Sequence, residues 1–163
     1  MKRFTLLGGV NGVGKTSLTG VLARVDSSLG VIVNADELIK IHNSKLEGGK
    51  AALGIISHCL EKELDFSQET TLAGNRVLRT IQAAKNKGYH IRLFYVALGS
   101  AEESLRRIEN RVRKGGHDIP EKDVRRRFNN RFEDLAKVLP YCDEVHFFDN
   151  ENGFVFAGGV SGR

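Results

Sequence analysis

"GGVNGVGKTS", residues 8–17, packs glycines, one lysine and two hydroxyl side chains into a loop that directly follows the apolar run "FTLL". From Gly9 to Thr16 it fits G-x-x-x-x-G-K-[ST] at every position. The spacing has a chemical reason. A chain of phosphates is wrapped best by consecutive backbone N–H groups, and glycine lets the backbone turn tightly and come close. A helix starting near Lys15 aims its positive dipole end at the anion. Lys15 is then placed to meet the β- and γ-phosphates, and the Thr16 hydroxyl to ligate Mg²⁺. "RFTLLGG" (3–9) reads as a buried strand and the residues from Lys15 as an amphipathic helix. That setting separates a phosphate loop from a chance glycine turn. The expected nucleotide-binding set is Gly9, Asn11, Gly12, Val13, Gly14, Lys15, Thr16 and Ser17, with Mg²⁺ on Thr16.

Around this loop, strands and helices alternate. Leu18, Val21, Leu22 and Val25 share one face of the first helix. "VIVN" (31–34) is a short buried strand, followed by a helix from about residue 35 and another over about 50–64 that buries Leu53, Ile56 and Leu60. "SQETTL" (67–72) reads as a strand end, and residues 73–87 as a helix stopped by Gly88. "HIRLFYVAL" (90–98) is the clearest strand. A helix over 101–113 is broken by "KGGHDIP" (114–120), where Pro120 suits the first turn of the next helix. That helix buries Val124, Phe128, Phe132 and Leu135. "EVHFFD" (144–149) is a further strand, and "GFVFAGG" (153–159) either adds an edge strand or trails off. The alternation calls for an α/β fold with a mostly parallel sheet covered on both faces. With 163 residues, one domain over 1–163 is expected.

Composition narrows the class. The chain is 40% hydrophobic and 28% charged, the balance of a soluble globular protein. Cys59 and Cys142 lie far apart without metal-site spacing, so a reducing, cytoplasmic setting is expected. "MKRFTLLGGV" has too short an apolar run for a signal peptide. No stretch has the length of a transmembrane helix, so no membrane is expected. The net charge of +5 is concentrated. From Arg106 to Arg131 there are ten Lys or Arg against four acids, a local net of +6. Something anionic is expected to meet this segment.

A phosphate loop alone does not choose among kinases, GTPases, motor ATPases and nucleotide sensors. N-K-x-D for guanine is missing, since "NKG" (86–88) lacks the aspartate. "HIRLFYVAL" ends in no acid, as a motor ATPase would require. Asp149 comes so late that it is expected near the nucleotide base rather than the metal. Two other strand ends carry chemistry. Asp36, just past "VIVN", is placed to take a proton from a hydroxyl attacking a γ-phosphate, or alternatively to cap the next helix. Glu69 and Thr70 in "QETTL" either hold a polar substrate or cap the strand end. "RVRKGGHDIPEKDVRRRFNNR" (111–131) reads as helix, glycine loop, helix, and its arginines suit a lid that folds over phosphates. Charge runs are more often solvated faces, and His117 reads as a loop histidine.

Taken in order, "GGVNGVGKTS", "VNADELIK", "QETTL", "RVRKGGHDIPEKDVRRRF" and "FDN" make the chain resemble a small member of the zeta toxin family of P-loop kinases over nearly its whole length. The resemblance implies a P-loop NTPase fold with a central parallel five-stranded sheet in order 2-3-1-4-5 and an Arg-rich helical lid at about 111–127. It also implies Mg·ATP as phosphoryl donor. The family's well-known toxins phosphorylate the amino sugar of UDP-N-acetylglucosamine. By position, Asp36 matches the family's catalytic base, Glu69 its substrate-holding acid with Thr70 beside it, and Arg111 and the arginines at 125–127 its phosphate clamps, Arg127 first. The helix after the lid departs from the family pattern at Asn130 and Arg131.

The resulting expectation is an ATP-dependent kinase acting on a hydroxyl of a small anionic metabolite, UDP-N-acetylglucosamine leading. The alternatives are a kinase for a nucleoside, sugar acid or antibiotic, and a nucleotide-binding regulator or toxin with an antitoxin-like protein partner. A nucleic-acid role would need aromatics among the arginines for base stacking. Only Phe128 and Phe132 are there, both on the expected core face, so no nucleic-acid partner is expected.

Overall fold

A computed structural model describes residues 1–162. Its central strand is β1 (Arg3–Gly8), whose Phe4, Thr5, Leu6 and Leu7 are fully buried because helices cover both faces of the sheet. The chain then runs through α1 (Lys15–Val25), β2 (Val31–Val33), α2 (Ala35–His42), α3 (Lys45–Lys62), β3 (Phe66–Thr70), α4 (Arg76–Asn86) and β4 (His90–Ala97). It continues with α5 (Ala101–Arg113), α6 (Glu121–Val138), β5 (Glu144–Asp149) and β6 (Val155–Ser161). The sheet order is β2-β3-β1-β4-β5-β6. The first five strands are parallel in the expected order, and β6 pairs antiparallel with β5. The sheet therefore has six strands rather than five, because "GFVFAGG" leads into an edge strand.

The register follows from the two-residue period of a strand. Phe4 and Leu6 face a core with Ile56 of α3, Ile81 of α4 and Val138 of α6. Leu7 faces a second core with Leu18 of α1, Val96 and Phe128. Phe4 stacks on Phe66 with ring centroids 4.3 Å apart. Burying each such ring contributes roughly 1.5–3 kcal/mol.

Six apolar assignments need correction. Val31 and Ile32 of "VIVN" are exposed because β2 is the edge strand of the sheet, which leaves only Val33 of the three strand residues buried. Val21, Val25, Leu53 and Phe132 are exposed, Phe132 by 61%. Each lies at the margin of its helix's apolar stripe, and the sheet takes up only the narrower set of Leu18, Ile56, Val124, Phe128 and Leu135. Phe132 instead lies beneath the Arg131 guanidinium, 4.2 Å from the ring centroid. The third helix starts earlier than expected, at Lys45, because Ser44 accepts from the Glu47 N–H. Pro120 sits at the cap of α6 and not inside its first turn. Among the described residues, no helix is long and apolar enough to cross a membrane.

Candidate active site

Parallel pairing brings the ends of β1, β2 and β3 to one edge of the sheet, where the strand order changes direction around β1. Ligand crevices of such sheets lie at this edge. β1 runs into the glycine loop, β2 into Asn34 and Asp36, and β3 into Glu69 and Thr70. The loop is held in place by contacts that leave no room for side chains. A Cβ on Gly9 would lie 2.5 Å from the Val96 carbonyl oxygen. Gly14, at φ 100°, would meet Asn150 Nδ2 at 2.6 Å and the Phe154 ring at 3.1 Å. Only glycine fits both positions.

Lys15 opens α1, and its Nζ donates to the carbonyls of Gly9 (2.7 Å) and Val10 (2.9 Å). The loop thus folds around its own ammonium. Burial pulls the Lys15 pKa from its usual value to about 8, working with the nearby Arg111 and Arg127 and against the carboxylates of Glu69 and Asp36. Thr16 Oγ1 donates to Glu69 Oε2 at 2.8 Å. Glu69 also accepts from Thr19 Oγ1 at 2.8 Å and Asn34 Nδ2 at 3.1 Å. A threonine hydroxyl beside a carboxylate offers hard oxygens to a small divalent cation, which keeps several waters and takes phosphate oxygens as well. Among the described residues, no three His, Cys, Asp or Glu side chains converge on one point. The donor set therefore fits Mg²⁺ carried with a nucleotide rather than a metal caged by protein ligands alone.

Asp36 is not the helix cap. Asn34 takes that task, its Oδ1 accepting from the N–H groups of Asp36 (3.0 Å) and Glu37 (3.3 Å). The Asp36 carboxylate is thereby spared, and it faces two adjoining cavities. One, of about 200 Å³, is lined by the glycine loop with Thr16, Ser17, Arg107 and Arg111. The other, of about 320 Å³, is lined by the ends of β2 and β3 and the start of α4. Asn11, Lys15, Asp36 and Glu69 line both. The Thr70 side chain lines the second cavity and accepts from the Leu72 N–H at 3.0 Å.

The basic segment divides into two sets. Arg113, Arg125 and Arg126 pair with Glu109, with Glu102 and Glu121, and with Asp123, all on the outer surface. Such pairs contribute little. Arg111 and Arg127 turn inward. Arg127 Nη1 donates to Asn11 Oδ1 at 2.9 Å, and Arg111 Nη2 to the His117 carbonyl at 2.9 Å. The Nε atoms of both are buried without a partner. Donors left over in this way suit an anion with several oxygens. His117 lies in the loop between α5 and α6, and its carbonyl orients Arg111.

The sequence reading missed the wall on the β5 side. Arg107 donates to the carbonyl of Asn150 at 2.6 Å, and Asn150 Nδ2 donates to the carbonyl of Val13 at 2.8 Å. Asp149 itself is exposed and caps the following turn through the Glu151 N–H. The signal available was Gly14, whose missing Cβ makes room for Asn150 and Phe154.

Comparison with known proteins agrees with the fold. The Zeta toxin family model matches residues 2–158. An uncharacterized protein of Haemophilus influenzae is 29% identical over 126 residues, covering 74% of this chain and 88% of its own. Among solved structures, a chain from the PezAT chromosomal toxin–antitoxin system of Streptococcus pneumoniae superposes with a TM-score of 0.67 at 21% identity, over 95% of this chain and 71% of that one. A chain of the AvrRxo1-ORF1:-ORF2 complex with ATP gives 0.73 at 16% identity, over 99% of this chain. This chain spans only 59% of that AvrRxo1 chain. A putative kinase from Chloroflexus aurantiacus gives 0.58 at 15% identity, over 76% of each chain. At these identities the structural likeness speaks for the fold alone.

Proposed function

Because the chain belongs to the zeta toxin family, we propose that it is a kinase that transfers the γ-phosphate of Mg·ATP to a hydroxyl of a small anionic metabolite. One observation carries the reading: Asp36 lies where the glycine-loop cavity and the second cavity meet, with Lys15 and Glu69 beside it. A donor phosphate in the first cavity and an acceptor hydroxyl in the second would share that junction.

Each residue then has a task. The amides of Gly9 to Ser17 wrap the phosphates, and Lys15 exchanges its bonds to the Gly9 and Val10 carbonyls for phosphate oxygens. Thr16 and Glu69 would hold the metal, which would supply charge neutralisation on the phosphates when bound. Asp36 takes the proton from the acceptor hydroxyl, and Arg111 and Arg127 stabilise the transferring group. Glu69 and Thr70 border the acceptor as well. UDP-N-acetylglucosamine is the acceptor that the family resemblance names. A cytoplasmic location belongs to the same proposal, since ATP is the donor.

The test is to incubate the protein with Mg·ATP and a metabolite extract and to search by mass spectrometry for species heavier by one phosphoryl group. Absence of any new phosphorylated species, with ATP bound, would sink the reading. A second reading, action through a protein partner, is supported by the two-protein systems in which the PezAT and AvrRxo1 chains occur. Co-purification of a stoichiometric partner that blocks ATP binding would favour it.

A further inference from the structure

The second cavity carries more than the position of a hydroxyl. Resting on the kinase reading, we propose that its acceptor is a compact polyhydroxy compound with one phosphate or carboxylate, held by Arg76, and not a nucleoside diphosphate sugar.

Space is the first argument, and it sets a lower bound: about 320 Å³, adjoining the glycine-loop cavity, accommodates a single sugar ring with one anionic group.

The lining is the second. It holds no Phe, Tyr, Trp or His, and its apolar members are only Ala35, Ala73 and Val77. A base bound here would find no aromatic face to stack on, the usual means of holding one. Hydroxyls fare better. Asn34, Gln68, Thr70 and Thr71 supply polar side chains, and Gln68 Oε1 is buried without any hydrogen-bond partner. A buried carbonyl oxygen left unpaired is costly, and a substrate O–H would satisfy it.

Charge is the third. Three cations line the cavity: Lys15, Arg76 and Arg127. Lys15 is engaged by the Gly9 and Val10 carbonyls and Arg127 by Asn11, all on the nucleotide side. The Arg76 guanidinium has no ion-pair or hydrogen-bond partner among the described residues. It extends from the first residue of α4 toward α3, where a Cβ on Gly49 would lie 3.9 Å from Nη1. This uncommitted, solvent-exposed guanidinium is free to meet one anionic group on the acceptor, and its planar fork matches carboxylate and phosphate alike.

The experiment measures ATP consumption, with mass-spectrometric identification of product, for a panel of aldonates, aldose monophosphates, uncharged aldoses and UDP-N-acetylglucosamine. The aldonate and monophosphate arms tell the two anions apart. An anionic compact compound should stimulate turnover, its uncharged parent should need far higher concentration, and the nucleotide sugar should do neither. Arg76→Ala should raise KM for the active compound by roughly 10- to 100-fold, the worth of a charged hydrogen bond, with kcat and ATP affinity little changed. Arg76→Lys should recover part of the loss, and Gln68→Leu should raise KM without changing ATP affinity. Faster turnover of UDP-N-acetylglucosamine, an unmoved KM in Arg76→Ala, or no stimulation by any compact compound would each overturn this inference. Turnover of the nucleotide sugar alone would leave the kinase reading standing, whereas failure of the native protein to bind ATP would remove both.

Discussion

Thr16 and Glu69 are 53 residues apart in sequence, yet the Thr16 hydroxyl donates to the Glu69 carboxylate across 2.8 Å. The bond joins the start of α1 to the end of β3. In the proposed function it gives Glu69 a place on the metal side of the site in addition to the acceptor side. Glu69→Gln keeps an oxygen for the Thr16, Thr19 and Asn34 donors but removes the charge a cation needs. The expected outcome is a folded protein whose Mg²⁺ requirement for turnover rises by about 10- to 100-fold. Titration of turnover against Mg²⁺ checks it, and an unchanged midpoint would confine Glu69 to the acceptor.

Lys15 provides a pH dependence. Its pKa in the empty site is lowered to about 8, chiefly by burial. Phosphates restore the charged form, so the bound-state value lies above the free one. Affinity for ATP is then full below about pH 8 and falls as pH rises through that value, because binding must take up a proton. Calorimetry should find the Kd for ATP roughly tenfold weaker at about pH 9.5 than at about pH 7.5. Lys15→Met should bind weakly at both.

The lid arginines are separable. Arg127 faces the glycine loop through Asn11, while Arg125 is spent on Glu102 and Glu121 at the surface. Arg127→Ala should lower turnover by about 10³-fold, in line with other arginines that stabilise a transferring phosphoryl group. Arg125→Ala should change it by less than about threefold. Equal losses in steady-state assays would mean that the segment acts through its total charge alone.

The glycine loop and most of the five parallel strands were legible in the sequence because each is local, whereas Arg111 and Arg127 were named through the family resemblance. Gly9 to Thr16 has a fixed spacing, and β1 and β4 are the strands with the longest apolar runs. Residues whose role depends on tertiary contact were not. Asp36 read either as a base or as the helix cap, and only the structure shows that Asn34 caps the helix by accepting the N–H of Asp36. Asn150 closes "FDN", a stretch that carries the family resemblance, but its contact with Val13 spans 137 residues and no spacing predicts it. Phe132 has helical spacing with Phe128, but the core ends before reaching it. Arg92 sits inside the apolar run "HIRLFYVAL" and yet is buried, paired with Asp26 and bonded to Thr5 and Ser28.

That buried cation makes a prediction about stability alone. Arg92 is 7% exposed, and its guanidinium satisfies Thr5, Asp26 and Ser28 together. Arg92→Ala leaves Asp26 and both hydroxyls without it and opens a hole between β4 and α1. The expected cost is about 3–5 kcal/mol in denaturant unfolding. ATP affinity measured below the transition should remain near native, because the cluster lies at the opposite end of the sheet from the glycine loop.

In the proposed reaction Asp36 takes the acceptor's proton. It borders both cavities, and Asn34 relieves it of capping. Asp36→Asn keeps the size and polarity of the side chain but cannot accept the acceptor's proton. With the phosphates assigned to the loop and Lys15, ATP affinity should change by less than about threefold. Turnover should fall by about 10²–10⁴-fold, the usual worth of a positioned base. If Asp36 instead helps to hold the metal, ATP affinity and Mg²⁺ dependence should weaken together with rate. The two cases separate in calorimetry of ATP binding beside steady-state turnover at saturating Mg²⁺. Near-native turnover in the asparagine variant would take Asp36 out of the mechanism, and the proton would then have to leave through Glu69, the other carboxylate lining both cavities.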